Sequence, residues 1–466
     1  MINKIFQIPL YVKSFVGEKY IFFINTHIGT WAAIPIYHAN TLRSCLGRKI
    51  RTADIEDSEF VQIYIALAKS NIIVDESLNR VFSNASVCKP LLVKFQTTEK
   101  CNFACKYCFN ETQSRCGEMS EDTIHKAIDF VFDYPASVNG IHFTIYGGEP
   151  LSSRCSLYSA IKYIRSKEDQ RKNIRISVIT NGSLLTDEDV EFFKAHDIRL
   201  TISIDGMPEI NDKYRVDING RPTSQSVFSK LDLLKDYPVL NVLAVTTAGA
   251  SPLLAEIAEF FQSQNLCSIE FRPCRMLGSA GNQTDMQVNV AQYVNSLKQI
   301  TNMIEEGKLF DINIRTIIRL LLPLLCQETI HGNIGNFRCG AGRNTLIIYH
   351  DGKIRGCDMI PEAYSSIIGS IDQGITDLGE LDEATKLYAV DNECKKCTFF
   401  VYCRGGCPGA SASDMHSFGK RHSLDCSIKK VMYPFLLEKL ANKKSKIYQY
   451  FWQHVSISED NKAFTC

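Results

Sequence analysis

Ten of the chain's eighteen cysteines fall into two tight sets, and this clustering constrains the fold more than any other feature of the sequence. The first set is Cys101, Cys105 and Cys108, and the second extends from Cys339 to Cys426. In a long chain without an export signal, clustered cysteines favour metal binding or redox chemistry over disulfides. We expect each of the remaining cysteines to be a small buried apolar residue rather than a ligand. They are Cys45, Cys88, Cys116, Cys155, Cys267, Cys274, Cys326 and Cys466.

The composition argues against several classes of protein. The 52 basic and 51 acidic residues nearly cancel, so no charge excess points to nucleic acid or to an anionic membrane surface. The most apolar long stretch, residues 20–37, contains Asn25, His27 and Pro35 and is too polar and interrupted for a membrane helix. The N-terminus lacks the regions of a secretory signal. The sequence therefore predicts a cytoplasmic protein with no nucleic-acid or membrane partner.

The chain is long enough for two or three domains, and its apolar pattern divides it into five regions. Residues 1–88 predict a small α+β module, with strands near 8–24, 31–37 and 72–74 and helices near 40–45 and after Ser58. Residues 89–280 alternate between strands and helices, and residues 281–335 predict a helical linker. Residues 336–430 are rich in cysteine and glycine, and residues 431–466 hold a terminal helix that begins near residue 427.

The alternation within residues 89–280 predicts an α/β fold. The strand candidates are residues 92–95, 141–146, 174–179, 200–204, 240–246 and 268–271. The helices predicted between them are residues 121–132, 157–166, 187–195 and 252–264. Repeated β–α units imply a parallel sheet, here a partial (β/α)6 barrel of the TIM type. Because such barrels carry their chemistry at the carboxyl ends of the strands, motifs at those positions have the most weight.

The first cysteine set directly follows the first of these strands. Its C-x3-C-x2-C spacing gathers three thiolates on one loop, whereas a cubane iron–sulfur cluster usually takes four. One iron would then be open to another ligand. A zinc site or accidental cysteines are the alternatives, but a zinc site needs a fourth Cys or His, which this loop lacks. The spacing, with Tyr107 before the last cysteine, resembles the radical S-adenosylmethionine (SAM) superfamily, which implies that the open iron chelates the methionine part of SAM.

Further motifs of that superfamily follow in order, each at the end of a predicted strand. The segment from Tyr146 to Pro150 resembles its GGEP motif, whose bare backbone would let the methionine amino group approach. The resemblance implies that later positions face the ribose and carboxylate of SAM. An ordinary turn or a surface charge is the alternative for each of them. The implied SAM-binding residues are Tyr107, Gly147, Gly148, Glu149, Asn181, Ser203, Asp205 and Arg215.

The second cysteine set resembles the seven-cysteine SPASM domain of radical SAM enzymes that modify peptides and proteins; two rubredoxin-like or zinc-knuckle turns are the alternative. The resemblance implies two auxiliary four-iron–four-sulfur clusters. The distal cluster would be held by Cys394, Cys397, Cys403 and Cys426, and the cluster nearer the active site by Cys339, Cys357 and Cys407. Sulfatase maturases complete the nearer cluster with another cysteine, but residues 340–350 contain none. Its fourth iron would be open or bound from elsewhere, with Cys326 as one candidate.

Asp358 directly follows Cys357 and matches the acid that sulfatase maturases use as a base. A turn residue is an equally good interpretation of this aspartate. The sequence thus offers one candidate catalytic residue outside the cysteines and the SAM-binding positions.

Together the resemblances predict a maturase of a ribosomally made peptide, with SAM and three four-iron–four-sulfur clusters as cofactors. A flavodoxin- or ferredoxin-type donor would supply the electron that cleaves SAM to a 5′-deoxyadenosyl radical. That radical would take a hydrogen from the precursor peptide, leading to a cross-link or an oxidised residue. The alternatives are a sulfatase-type maturase that forms formylglycine and a non-catalytic iron–sulfur electron carrier.

The N-terminal module resembles the winged-helix-like unit with which such maturases hold a leader peptide by strand addition. A plain packing domain is the alternative. If the module only holds substrate, a chain without residues 1–88 should keep its clusters.

Overall fold

The computed structural model describes most of the chain in separate ranges. These are residues 5–9, 11–38, 50–51, 58–75, 90–110, 116–170, 173–281, 283–326, 339–360, 367–386, 390–415, 423–442 and 444–456. The helix predicted near residues 40–45 lies outside them, as do Cys45, Cys88 and Cys466. Within the described residues no helix has the length and apolarity needed to cross a membrane.

The N-terminal module contains two small antiparallel sheets and a helix, α1 (Ser58–Lys69). Its strands are β1 (Ile5–Gln7), β2 (Val12–Val16), β3 (Tyr20–Asn25), β4 (Trp31–Pro35), β5 (Ile50–Arg51) and β6 (Val74–Asp75). One sheet has the order β5-β1-β6 and the other β2-β3-β4. The strand predicted over 8–24 is thus a hairpin of β2 and β3, in which Gly17 N donates to Tyr20 O at 2.8 Å.

Side chains on the two faces of β3 pack against different parts of the molecule. Phe23 and Ile34 pack against α1 in a small separate core. Phe22 and Ile24 face the opposite side and belong to the large core of the barrel and C-terminal region. Because side chains on a strand alternate between faces, one sheet separates α1 from the rest of the molecule.

Residues 91–273 form six consecutive parallel strands, which confirms the α/β barrel-type prediction. They are β7 (Leu91–Thr98), β8 (Ile141–Gly147), β9 (Ile174–Thr180), β10 (Ile198–Ser203), β11 (Leu240–Thr246) and β12 (Ser268–Pro273). Each strand pairs with its neighbours in sequence, as right-handed β–α–β units do. Their apolar side chains, such as Val93, Phe143 and Ile176, are fully or almost fully buried.

Helices connect these strands. They are α2 (Glu121–Asp133), α3 (Arg154–Ser166), α4 (Asp187–Ala195), α5 (Pro208–Tyr214), α6 (Ser224–Phe228) and α7 (Leu254–Ser263). The periodicity predicts α2, α3, α4 and α7, whereas the short helices α5 and α6 are additional to the prediction. Local chemistry sets their starts. Ser120 caps α2 by accepting from Thr123 N, and Thr186 with Asp189 forms a capping box on α4.

The sheet does not end at the predicted barrel boundary. Helices α8 (Val290–Glu306) and α9 (Arg315–Leu325) make residues 281–335 largely helical, but β13 (Asn313–Ile314) lies between them and pairs with β12. At the other edge, β14 (Thr345–Ile348) runs parallel to β7. β15 (Lys353–Arg355), β16 (Ile367–Ser370) and β17 (Gly374–Ile375) continue the same sheet. The strands of the cysteine-rich region therefore continue the barrel sheet at the edge that carries the first cysteine loop.

The end of the chain is helical but is not one helix. The described helices are α10 (Gly379–Thr385), α11 (Asn392–Lys396), α12 (Phe400–Cys403), α13 (Pro408–Met415), α14 (Ser423–Ala441) and α15 (Lys446–Ser456). The predicted terminal helix from about 427 to 453 corresponds to α14 and α15. The expected boundary at residue 431 lies inside α14, which also carries Cys426 on its first turn.

Candidate active site

The first cysteine loop is held between two other segments at the carboxyl end of the sheet. Gly148 N donates to Thr98 O at 2.9 Å, and Glu149 N donates to Lys100 O at 2.7 Å. On its other side, Ala104 N donates to Val216 O at 2.8 Å, and Lys106 N donates to Tyr214 O at 2.9 Å. These four backbone bonds fix the loop before any ligand is considered.

Gly147 and Gly148 allow the backbone of the cysteine loop to pack closely against the end of β8. A Cβ at Gly147 would lie 2.3 Å from Thr98 O, and one at Gly148 would lie 2.3 Å from Lys100 O. The space left by the missing side chains is therefore filled by the chain's own backbone. Their expected approach to the SAM amino group stays a prediction.

The three thiols of the loop lie close enough to influence one another. Burial raises the pKa of Cys101 to about 12. The N–H of Phe103 opposes this shift, whereas Cys105 and Cys108 add to it. Burial likewise raises the pKa of Cys105 to about 11, and nearby Arg215 opposes the shift. Metal ligands must be deprotonated, so bound iron would supply the positive charge that these thiols need to ionise.

None of the described Cys, His, Asp and Glu side chains forms a group of three or more that could hold a single metal ion. A zinc site needs such convergence on one ion. A cubane instead spreads its ligands over several irons, one thiolate each, so three thiols on one loop can hold three of its irons.

Tyr107, Asp205 and Arg215 form a buried chain of polar contacts next to this loop. The Tyr107 hydroxyl donates to Asp205 Oδ2 and accepts from Arg215 Nη1 at 2.9 Å. Arg215 Nη1 lies 4.0 Å from Asp205 Oδ1, which also accepts from Val245 N at 3.0 Å. Burial lowers the pKa of Arg215, but Cys105, Tyr107 and Asp205 outweigh it and hold the pKa well above its ordinary value.

Arg215 still has an unused donor. Its Nε is buried and has no hydrogen-bond partner among the described residues. A buried N–H without a partner is costly, and a carboxylate is the acceptor that best satisfies a guanidinium. An acidic ligand group, such as the carboxylate of SAM, would satisfy this donor.

Glu149 and Asn181 make their contacts within the protein. The buried Glu149 carboxylate accepts from Thr180 Oγ1 at 2.7 Å and from the backbone N–H groups of Leu151 and Asn181. Asn181 Nδ2 donates to Asn102 Oδ1 at 2.9 Å and so reaches the cysteine loop. The structure thus ties β8 and β9 to the loop through these two residues.

Ser203 lies at the end of β10. It is half-buried, and its hydroxyl makes no hydrogen bond with the residues that the structure describes. Its role toward SAM remains a prediction.

The second cysteine set divides into two neighbourhoods. The pKa of Cys357 is raised well above its ordinary value by burial, by Asp358, and by Cys407 and Cys339. A Cβ at Gly409 would lie 3.3 Å from Cys357 Sγ, so the Cys407 turn packs directly on Cys357. These three cysteines thus come together from segments far apart in the chain.

The other four cysteines form the second neighbourhood. Burial raises the pKa of Cys394 to about 12, with contributions from Asp391, Cys403 and Cys426. The pKa of Cys403 is raised by burial and by Cys397 and Cys426, while Lys429 opposes the shift. The two groupings coincide with the two ligand sets that the SPASM resemblance implies.

Backbone N–H groups point at sulfur in both regions. Phe103 N lies 3.4 Å from Cys101 Sγ, Met359 N lies 3.4 Å from Cys357 Sγ, and Ala410 N lies 3.4 Å from Cys407 Sγ. Such donors stabilise thiolates and tune the potentials of iron–sulfur clusters.

Asp358 lies in this region and is already paired. Its Oδ2 is 2.6 Å from the ammonium of Lys94 on β7, and only 8 % of the Asp358 side chain is exposed. The N–H of the next residue, Met359, points back to Cys357 Sγ. The ion pair joins the strand that leads into the first cysteine loop to the residue beside Cys357.

Three of the scattered cysteines do not behave as expected. Cys116, Cys155 and Cys267 are exposed, because they lie in connections or on the outer side of a helix rather than in the core. Cys274 is buried and Cys326 is half-buried.

Comparison with known proteins identifies the central part of the chain. The model of the radical SAM superfamily matches residues 95–260. These residues form a radical SAM domain. The match spans β7 to α7 and contains the first cysteine loop and each SAM-binding candidate. The chain is accordingly an enzyme, and SAM and a four-iron–four-sulfur cluster are the cofactors of its radical SAM domain.

Curated relatives extend the similarity beyond the radical SAM domain. The chain is 28% identical to the serine-type anaerobic sulfatase-maturating enzyme of Bacteroides thetaiotaomicron, over 70% of this chain and 84% of the relative. It is 25% identical to the cysteine-type enzyme of Clostridium novyi, over 68% of this chain and 87% of the relative.

Two solved structures share the fold. The first is anSMEcpe with bound AdoMet, with a TM-score of 0.63, 22% identity, and coverage of 76% of this chain and 100% of that chain. The second is Streptococcus suis SuiB bound to precursor peptide SuiA, with a TM-score of 0.54, 15% identity, and coverage of 90% and 99%. These similarities confirm the α/β partial-barrel prediction.

Several polar residues in or next to the radical SAM domain belong to no motif and were not predicted from the sequence. Lys94 could have been noticed as a charge in an otherwise apolar strand, and Asn102 as a polar residue inside the cysteine loop. Gln96 Oε1 and Thr246 Oγ1 are buried at strand ends without a partner among the described residues. Their side chains gave no motif, so only the structure places them at the site.

Proposed function

We propose that the chain is a peptide maturase with three four-iron–four-sulfur clusters, which installs a cross-link or an oxidised residue in a ribosomally made precursor peptide. One observation carries this proposal: three cysteines lie together on the first loop, and seven more from distant segments gather into neighbourhoods of three and four. An electron carrier would not need the buried Tyr107–Asp205–Arg215 arrangement, and the match to a radical SAM domain argues against that alternative.

The substrate class rests on two supports. SuiB, whose structure holds a precursor peptide, resembles 90% of this chain, whereas anSMEcpe resembles 76%. The N-terminal module also offers a small antiparallel sheet with β2 and β4 at its edges beside helix α1. A peptide could extend such a sheet by strand addition.

Different residues of the chain would hold the cluster, orient SAM and accept a proton. When bound, SAM and the first cluster supply the 5′-deoxyadenosyl radical that removes hydrogen from the peptide. Cys101, Cys105 and Cys108 would hold that cluster, and Arg215 would orient the carboxylate of SAM. Asp358, held by Lys94 beside Cys357, would lie where a proton from the substrate could be accepted.

Formylglycine formation is the second candidate. The curated relatives are sulfatase-maturating enzymes, and Asp358 matches the acid of that family. The absence of cysteine from residues 340–350 disfavours it, because those maturases complete the nearer cluster there.

Anaerobic reconstitution tests the cofactor part of the proposal. The wild-type chain should hold about twelve irons, four for each cubane. The triple Ala variant of the first set should hold about eight and form no 5′-deoxyadenosine from SAM. A fully loaded wild-type protein with about four irons would contradict the auxiliary clusters.

Co-expression with candidate substrates tests the substrate part. Mass spectrometry should show a loss of hydrogen mass in a precursor peptide and no aldehyde in a sulfatase-derived peptide. The converse result would favour formylglycine formation.

A further inference from the structure

Lys13 reaches from the N-terminal module to the turn that carries two cysteines of the distal set. This lysine lies on β2, and its Nζ donates to the backbone oxygens of Lys396 at 2.7 Å and Cys397 at 3.3 Å. Those carbonyls end helix α11, which carries Cys394. A cation at the carboxyl end of a helix satisfies carbonyls that have no partner within the helix.

Two further contacts fix the same module against the same turn. The Phe15 ring packs edge-on against Phe399, with ring centroids 5.3 Å apart. The hydroxyl of buried Tyr402, the residue before Cys403, donates to Gly29 O at 3.0 Å. The module therefore contacts the chain on both sides of the segment from Cys397 to Cys403.

We infer that the N-terminal sheet is part of the distal cluster's site and that Lys13 is its positioning residue. The inference rests on the proposed function, because it assumes that Cys394, Cys397, Cys403 and Cys426 hold a cluster. Lys13 orients the Cys394–Cys397 turn through two carbonyls and places a positive charge beside it. Outer contacts of this kind orient ligands, and nearby charge and hydrogen bonds set the potential of an iron–sulfur cluster.

The direction of the effect follows from charge. A reduced cluster carries one more negative charge than an oxidised one, so a nearby ammonium stabilises the reduced form. Lys13 thus raises the reduction potential of the distal cluster. The segment proposed to hold the peptide is thereby coupled to the distal cluster through hydrogen bonds and through charge.

The experiment compares Lys13→Met with Lys69→Met in the full-length, iron-loaded chain. Lys69 is exposed at the end of α1, which packs on the opposite face of the module, so its replacement removes the same charge away from the turn. Potentials are measured by redox titration followed by electron paramagnetic resonance, and iron is counted for each variant. The distal signal is identified as the one lost in Cys394→Ala.

Lys13→Met should shift the distal potential downward or lose about four irons, whereas Lys69→Met should do neither. Lys13→Arg, which keeps charge and donors, should restore the wild-type potential. An unchanged distal potential and iron content in Lys13→Met would overturn the inference and leave the proposed function standing. A wild-type chain with no signal that Cys394→Ala removes would overturn the auxiliary-cluster proposal itself.

Discussion

Arg215 is the buried cation around which the polar side of the radical SAM site is arranged. Its guanidinium contacts Tyr107, and its Nε has no partner among the described residues. Lysine keeps the charge but lacks the planar fork, so Arg215→Lys should weaken SAM binding about tenfold or more. Equilibrium dialysis with the iron-loaded protein measures this. Arg221→Lys, at an exposed arginine of the next loop, is the control, and an equal loss there would refute the assignment.

Asp358 can be tested separately from its ion pair. If it accepts a proton during turnover, Asp358→Asn should lower product formation by about 100-fold or more while 5′-deoxyadenosine still forms. Lys94→Gln should keep more activity, because it leaves the carboxylate in place. Product and 5′-deoxyadenosine are quantified by chromatography in the same reaction. Similar losses in both variants would indicate a structural ion pair instead.

His142 makes stability depend on pH. Burial, with Arg199, Arg175 and Arg315 nearby, lowers the pKa of His142 to about 4, and its Nε2 lies 2.8 Å from Ser177 Oγ. A lowered pKa means that the folded state holds the neutral ring. This contribution is therefore complete above the unfolded pKa of about 6.5 and is lost as pH falls toward 4.

The wild-type chain should consequently lose on the order of 2 kcal/mol more stability than His142→Gln between neutral pH and about pH 5. Unfolding transitions of both proteins at the two pH values give the comparison. Parallel pH dependence in the two proteins would show that His142 does not titrate in this way.

At the scale of elements, close backbone packing at the end of β8 fixes the position of the cysteine loop. Gly148→Ala would place a methyl group against the backbone oxygens of Glu99 and Lys100. We expect the loop to shift and the first cluster to be lost, with iron falling by about four per chain. Gly220→Ala is the control, because its Cβ would meet no atom within 4 Å, although its positive φ costs some stability. Full iron content in Gly148→Ala would contradict this positioning of the loop by Gly148.

At the scale of the whole molecule, the N-terminal module is not a detachable appendage. Phe22 and Ile24 are fully buried in the large core, and Trp31 Nε1 donates to Leu324 O at 2.9 Å. This packing changes the expectation that a chain without residues 1–88 keeps its clusters. Truncation should expose apolar core and cost several kcal/mol of stability.

The truncated chain should therefore melt at a lower temperature and hold fewer than about twelve irons, with the distal cluster affected first. Thermal unfolding and iron analysis of the truncated and full-length chains measure both effects. If truncation leaves the irons in place and removes only peptide processing, the module serves substrate binding alone.

The sequence by itself determined what depends on local chemistry. The strands and helices of residues 91–273 follow from apolar periodicity, and the cysteine loop follows from three thiols within eight residues after a buried strand. Burial periodicity and capping are properties of short segments, so a single sequence reveals them. The motifs at Gly147, Asn181 and Asp205 could be placed for the same reason, since each follows a strand that pairs with its neighbour.

Only the tertiary structure decided which distant segments meet. It brings Cys407 to Cys357, Lys94 to Asp358 and Lys13 to the Cys394–Cys397 turn, and it continues the barrel sheet into the cysteine-rich region. It also shows that the two glycines make room for the cysteine loop. Such contacts arise because one sheet face must be covered by whatever apolar surface packs there, and no periodicity within a segment specifies its partner.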